Sequence, residues 1–161
     1  FKKGLSSISG LRESLEEQVM KRGKPFMGIC VGMQLMADMG YEYSMTSGLG
    51  WLPGEVSKID PNQKSSEVNL KVPHMGWNTV AQTRSHPLWQ DVPDNSRFYF
   101  VHSYYVQTDK PEMVTGVTHY GTDIVASLAD ENIFATQFHP EKSQHAGLTL
   151  LKNFLHWDGT S

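Results

Sequence analysis

The stretch Pro25-Phe-Met-Gly-Ile-Cys-Val-Gly-Met-Gln34 limits the fold more than any other part of the chain. Its short apolar run lies behind the breakers Gly23 and Pro25, as a buried strand does, and the residues from Val31 to Gly40 read as a helix that ends at that glycine. A strand that turns straight into a helix is the repeating step of an α/β fold. Upstream, Leu11, Leu15 and Val19 recur every four residues between charges, which predicts an amphipathic helix from about Ser9 to Arg22. Downstream the pattern becomes extended. The stretches WLPGEVSKI, LKVPHMGW, NTVAQT, RFYFVHSYYV, MVTGVTHYG, TDIVASLAD and NIFATQFH all read as strands, and PNQKSSE reads as a polar loop tip. A final helix over SQHAGLTLLKNFLHW places Leu148, Leu151, Phe154 and Leu155 on one face, expected to dock on the sheet. Helix and strand alternate early and strands crowd the middle, which gives an α/β domain with a mixed sheet.

The 161 residues suit a single domain, residues 1–161, with a core large enough to need no disulfide or metal staple. A net charge of -3 comes from acids and bases interleaved along the chain, so no basic stripe marks a nucleic-acid partner. No apolar run approaches the roughly 20 residues of a membrane span. The single cysteine suits a reducing, cytoplasmic setting.

A lone cysteine in an apolar segment is usually a small packed hydrophobe. Its context here argues for a nucleophile. In Gly28-Ile-Cys30-Val-Gly32 the glycines permit a tight strand-to-helix bend, comparable with the G-x-S-x-G elbow of hydrolases, from which the sulfur points outward. At the start of a helix, free amides and the dipole are expected to favour thiolate, and the Val31 amide is placed as half of an oxyanion hole. A thiolate that attacks an acyl carbon needs an imidazole, and the imidazole needs a partner that fixes its tautomer. The stretch QFHPEKS offers both: His139 ends a strand, and Pro140 stiffens a turn that lets Glu141 fold back toward the ring. The other six histidines, at 74, 86, 102, 119, 145 and 156, lack ligand-type spacing, so no metal site is expected.

Together GICVGMQ and QFHPEKS resemble the class I, triad-type glutamine amidotransferases, which release ammonia from the side-chain amide of glutamine. KVPHMGWN and YFVHSY, with the terminal LLKNFL, narrow the resemblance to the glutaminase subunits of imidazole glycerol phosphate synthase. The motifs run in the family's order along nearly the whole chain. The resemblance implies a flavodoxin-like domain with a largely parallel central sheet flanked by helices. It implies a triad of Cys30, His139 and Glu141, with Gln34 and Glu42 gripping the amino-acid end of glutamine and the main chain of Ser103 and Tyr104 holding its carboxylate. It also implies a heterodimer with a (β/α)8 cyclase subunit. His74, Trp77, Tyr99 and Lys142 are then the candidates for the docking face and ammonia exit. No cofactor is implied.

In this family several dozen further residues come first, forming the initial strands and a Pro-Gly-Val-Gly loop that supplies the second oxyanion donor, and Phe1 resembles the residue just past that loop. For the chain as given, the expectation is an exposed sheet edge and an incomplete oxyanion hole. The alternatives left open are a glutaminase for another synthase and a non-catalytic binding subunit.

Overall fold

The computed structural model describes residues 1–60 and 70–160. The loop tip expected at PNQKSSE, residues 61–67, falls outside the described residues.

The chain begins helical, with α1 (Lys2–Ile8), α2 (Arg12–Leu15) and a π-helical turn Glu16–Lys21, earlier than the apolar periodicity predicts. Of that periodic face only Val19 is buried, Leu15 is half-buried and Leu11 is exposed. Strand β1 (Phe26–Ile29) leads through Cys30 into α3 (Val31–Leu35). Helix α3 is a single turn and a half. Ala37–Gly40, expected to continue it, is instead strand β2, followed by β3 (Thr46–Ser47) and β4 (Leu52–Lys58). Next come β5 (His74–Thr79), β6 (Ala81–Gln82), β7 (Arg97–His102) and β8 (Tyr104–Gln107). The strands β9 (Val114–His119), β10 (Asp123–Asp130) and β11 (Ile133–Thr136) precede helix α4 (Gln144–His156).

Three sheets result. The largest has the order β1-β11-β10-β9-β6, the second β3-β2-β4-β8, and β5 pairs with β7. The expected mixed α/β architecture is present, but the sheets are not largely parallel among the described residues. Only β1 with β11 and β2 with β4 run parallel, and the other six pairings are antiparallel. Connection length explains this. Short turns such as 120–122 and 131–132 can join only antiparallel neighbours, whereas parallel pairing needs a long crossover. Strand β1 lies at the edge of its sheet.

The main sheet is covered on both faces, which is why its inner strands read as unbroken apolar runs. In β11, Ile133 and Ala135 point into a core with Val19, Met33, Met36, Leu52 and Val56, while Phe134 points the other way into one with Leu88, Trp89, Phe98, Phe100 and Phe138. Helix α4 closes the second core through Leu150, with Phe154 packed beside it, whereas Leu148 and Leu155 stand 62% and 80% exposed. The docking face of α4 is therefore rotated from the expected one. Gly147 fixes that face, since a Cβ there would collide with the Pro140 turn. Among the described residues no helix is long and apolar enough to cross a membrane, which leaves strand-built membrane proteins unaddressed.

Candidate active site

Strands β1 and β11 are parallel neighbours with Ile29 opposite Thr136, so Cys30 and the segment 137–139 emerge from the same C-terminal edge. In parallel sheets that edge is where ligands bind. Cys30 donates its amide to the Thr136 carbonyl at 2.7 Å and then turns through φ 51°, ψ -106°, a left-handed conformation that costs a non-glycine residue about 1–3 kcal/mol. The expected elbow is present. Of its two glycines only Gly28 is demanded by space: a Cβ there would strike the end of Met36 and lie 3.1 Å from the Gly32 carbonyl carbon, whereas nothing lies within 4 Å at Gly32.

The sulfur is half-buried. Its thiol donates to the Val101 carbonyl at 3.8 Å, and it accepts from the Gln137 side-chain amide at 3.6 Å. Burial pushes the thiol above its ordinary value, opposed by hydrogen bonds from the Val31 amide and Gln137. The expectation of a resting thiolate is thus corrected. A five-residue helix with little dipole does not offset the desolvation of the sulfur. Val31 itself is 47% exposed, and its amide points at the sulfur, beside which an oxyanion would form.

His139 Nδ1 lies 2.6 Å from Glu141 Oε1. A carboxylate only accepts, so Nδ1 carries the proton and Nε2 presents its lone pair. That Nε2 is buried without a partner. The ring is held from behind: the His139 amide donates to the Tyr99 carbonyl at 2.9 Å, and Ser143 Oγ, which donates to the His139 carbonyl, accepts from the Tyr99 amide at 3.0 Å. Glu141 and Lys142 are exposed and close enough for their charges to act on the Cys30 thiol. The structure therefore brings the three triad residues to one edge. No hydrogen bond joins Sγ to Nε2 in this state, as catalytic contacts often tighten only with substrate.

Gln34 is buried and donates from Nε2 to the Tyr104 carbonyl at 2.8 Å and to Gln137 Oε1 at 3.1 Å. Glu42 pairs with the amine of Phe1, and burial together with the Glu42 carboxylate raises the Tyr104 phenol, which places Glu42 beside Tyr104. The Ser103 carbonyl is occupied by the Ile59 amide at 2.9 Å, where β7 breaks from β8. Gln137 went unnoticed in the sequence, although a glutamine inside the apolar run IFATQF is itself a signal, since a buried amide needs partners.

The expected docking residues divide. Trp77 stands 38% exposed against Tyr99, with ring centroids 6.1 Å apart, and Lys142 is exposed. His74 is not at the surface: it is 3% exposed, because the alternation of β5 that turns Met75 and Trp77 outward turns His74 inward. Among the described residues no group of three or more His, Cys, Asp or Glu side chains could hold a metal ion.

Residues 5–157 match the family described as glutamine amidotransferase class-I. The chain is 51% identical over 147 residues to the imidazole glycerol phosphate synthase subunit HisH of Pseudomonas putida, covering 91% of this chain and 69% of that protein. It is 44% identical over 159 residues to the subunit of the same name from Brucella suis, covering 97% and 72%. Among solved structures it is similar to a glutamine amidotransferase from Thermotoga maritima, with TM-score 0.61, 18% identity and coverage of 97% and 56%. It is also similar to the glutaminase domain of Trypanosoma brucei CTPS with bound acivicin, with TM-score 0.57, 18% identity and coverage of 88% and 64%. At such identities these two likenesses speak for the fold alone. The chain thus spans about 70% of the length of its curated relatives and about three fifths of those solved chains.

Proposed function

The chain belongs to the class-I glutamine amidotransferase family, and from that premise we propose that it is the glutaminase subunit of an imidazole glycerol phosphate synthase, with Cys30, His139 and Glu141 as its triad. The observation that carries the triad is the bare, buried Nε2 of His139, in a ring whose other nitrogen is committed to Glu141.

Because burial holds Cys30 as a thiol, attack begins with transfer of its proton to His139 Nε2. The sulfur then bonds to the side-chain carbonyl carbon of glutamine, and the Val31 amide donates to the developing oxyanion. Collapse expels the amide nitrogen, which takes the proton from His139 and leaves as ammonia. Water, deprotonated by the same nitrogen, hydrolyses the thioester to glutamate and restores the thiol. Glu141 keeps the imidazole in the tautomer that this sequence requires and stabilises its cation.

Gln34 turns its side-chain oxygen and Glu42 its carboxylate toward the substrate's ammonium, while main-chain groups of Ser103 and Tyr104 receive the carboxylate. Ammonia passes to a partner cyclase subunit of (β/α)8 type across the face carrying Trp77, Tyr99 and Lys142. The heterodimer is placed in the cytoplasm, and residues 1–161 belong to one glutamine amidotransferase domain.

The test is labelling of the complex with diazo-oxo-norleucine, a glutamine-mimicking electrophile, alongside an assay of glutamate release. The expected result is one adduct on Cys30 and release that appears when the cyclase is added. Failure of both in the full complex would remove the enzymatic reading.

A further inference from the structure

Three histidines outside the triad are buried; His86 leaves its Nε2 without a partner, whereas His74 and His102 are fully engaged. His102 Nδ1 lies 2.9 Å from the Tyr104 carbonyl, and His74 Nδ1 lies 3.0 Å from His102 Nε2. Asn78 approaches His74 Nε2 at 3.4 Å and donates to the His119 carbonyl at 2.9 Å. The direction of every bond follows. A carbonyl only accepts, so His102 carries its proton on Nδ1; its Nε2 must then accept, so His74 also carries its proton on Nδ1 and takes the Asn78 amide at Nε2. The His74 ring is stacked between Tyr120, at 4.0 Å and 19°, and Phe100, at 4.8 Å and 20°. Burial holds both rings neutral, with pKa values lowered to about 4.

The far end of this row is the carbonyl of Tyr104, which also accepts from Gln34. Gln34 in turn donates to Gln137, and Gln137 to the sulfur of Cys30. One carbonyl therefore receives two polar rows, one from β5 and one from the nucleophile. Strand β5 carries His74 and Asn78 on its inner side and the exposed Met75 and Trp77 on its outer side.

We propose that His102, braced by His74, is a positioning residue for the glutamine site: it fixes the Tyr104 carbonyl, and through it the side chain of Gln34, and so ties the setting of that site to strand β5. The proposal rests on the reading of Gln34 as a residue that grips glutamine. Neither histidine touches the substrate or the reacting atoms.

The experiment uses the full-length subunit in its complex with the cyclase. His102→Leu removes the donor to Tyr104 and raises KM for glutamine about tenfold, the worth of one hydrogen bond, while kcat changes by less than about twofold. His74→Phe keeps the aromatic stack but removes the brace and raises KM by roughly threefold. His102→Asn retains a donor near the position of Nδ1 and recovers most of the lost affinity. Alkylation of Cys30 by iodoacetamide, which needs no amino-acid grip, keeps its wild-type rate in all three. Independently of activity, imidazole nitrogen shifts of the histidine-labelled protein show both rings as the Nδ1–H tautomer from pH 6 to 8. Equal KM values in His102→Leu and His102→Asn would overturn the proposal, and so would an Nε2–H tautomer at His102. A wild-type complex that releases no glutamate would sink the glutaminase reading instead, and the nitrogen spectra would still decide the relay.

Discussion

The His74–His102 pair and His139 make an instructive contrast. At His74 and His102 every ring nitrogen has a partner, whereas at His139 one nitrogen is bound to Glu141 and the other faces nothing. A satisfied imidazole has no lone pair to offer and serves to hold its neighbours in place. An imidazole with a buried, unspent nitrogen carries an unmet hydrogen-bonding cost, which a substrate proton can relieve. Burial and residue type alone do not separate a chemical histidine from a positioning one. Nor does the count of unspent nitrogens, because His86 Nε2 is also buried without a partner; what sets His139 apart is the Glu141 carboxylate at its other nitrogen and the sheet edge it shares with Cys30.

The largest effect that would break this comparison is expected at His139. His139→Asn should lower kcat for glutamate release by about 10³- to 10⁴-fold with KM for glutamine nearly unchanged, because no group then carries the proton from sulfur to the leaving nitrogen. Steady-state assay of the complex checks it. A loss confined to KM would assign His139 to binding, and the contrast with His102 would collapse. Next comes Glu141→Gln, expected to cost about 10²-fold in kcat. A glutamine can donate as well as accept at the 2.6 Å contact and so no longer selects the Nδ1–H tautomer. Nitrogen spectra should show the ring of His139 redistributed between tautomers, with His74 and His102 unmoved.

How far this contrast could be read from sequence alone follows from what sequence encodes. The elbow at Cys30 and the turn at Pro140 are local, so GICVG and HPE announce both. The expected β1, β7, β9, β10 and β11 stand close to where the apolar runs place them. Helix α3 was misjudged because Met36 to Gly40 has helical composition yet pairs with β3 and β4, a non-local gain that overrides propensity. The docking side of α4 was misjudged because its face is selected by the close approach of Gly147 to the Pro140 turn, not by leucine spacing. Likewise His74 and His102 stand 28 residues apart and meet only through the β5–β7 pairing, which sets them directly opposite. Nothing in either motif alone announces that register.

Acid sharpens the comparison. His74, His86 and His102 are all held neutral by burial, with pKa values lowered to about 4; the Arg84 charge adds to this at His86, His102 acts on His74, and His139 acts on His102. In the unfolded chain the same rings titrate near the ordinary value, so between pH 6.5 and 4 the unfolded state binds more protons. Stability contributed by their neutral burial is present above pH 6.5 and is lost as pH falls toward 4. Urea midpoints measured from pH 7 to 4.5 should fall with a slope approaching three protons, and His74→Phe should remove one of them. A flat profile would mean that these rings are not held neutral.

A smaller effect is expected at Gln137, which links the two polar rows. Its amide lowers the Cys30 thiol, so Gln137→Leu should raise that thiol further and slow iodoacetamide alkylation at pH 8 by roughly threefold, the worth of a weak hydrogen bond. Faster alkylation would show that exposure of the sulfur outweighs the lost donor.

The smallest effect provides the control. His119 Nδ1 lies 2.9 Å from Asp123 Oδ1, as close as His102 to the Tyr104 carbonyl and closer than His74 to His102, yet both side chains are more than two-thirds exposed. An exposed pair exchanges its partners freely with water and contributes little. The connection between His119 and the buried row runs through its main-chain carbonyl, which accepts from Asn78 and survives truncation of the side chain. His119→Ala is therefore expected to leave the urea midpoint, its pH dependence and KM for glutamine unchanged. A measurable rise in KM would mean that the row extends to the surface through the imidazole of His119, so that burial would cease to mark where the relay ends.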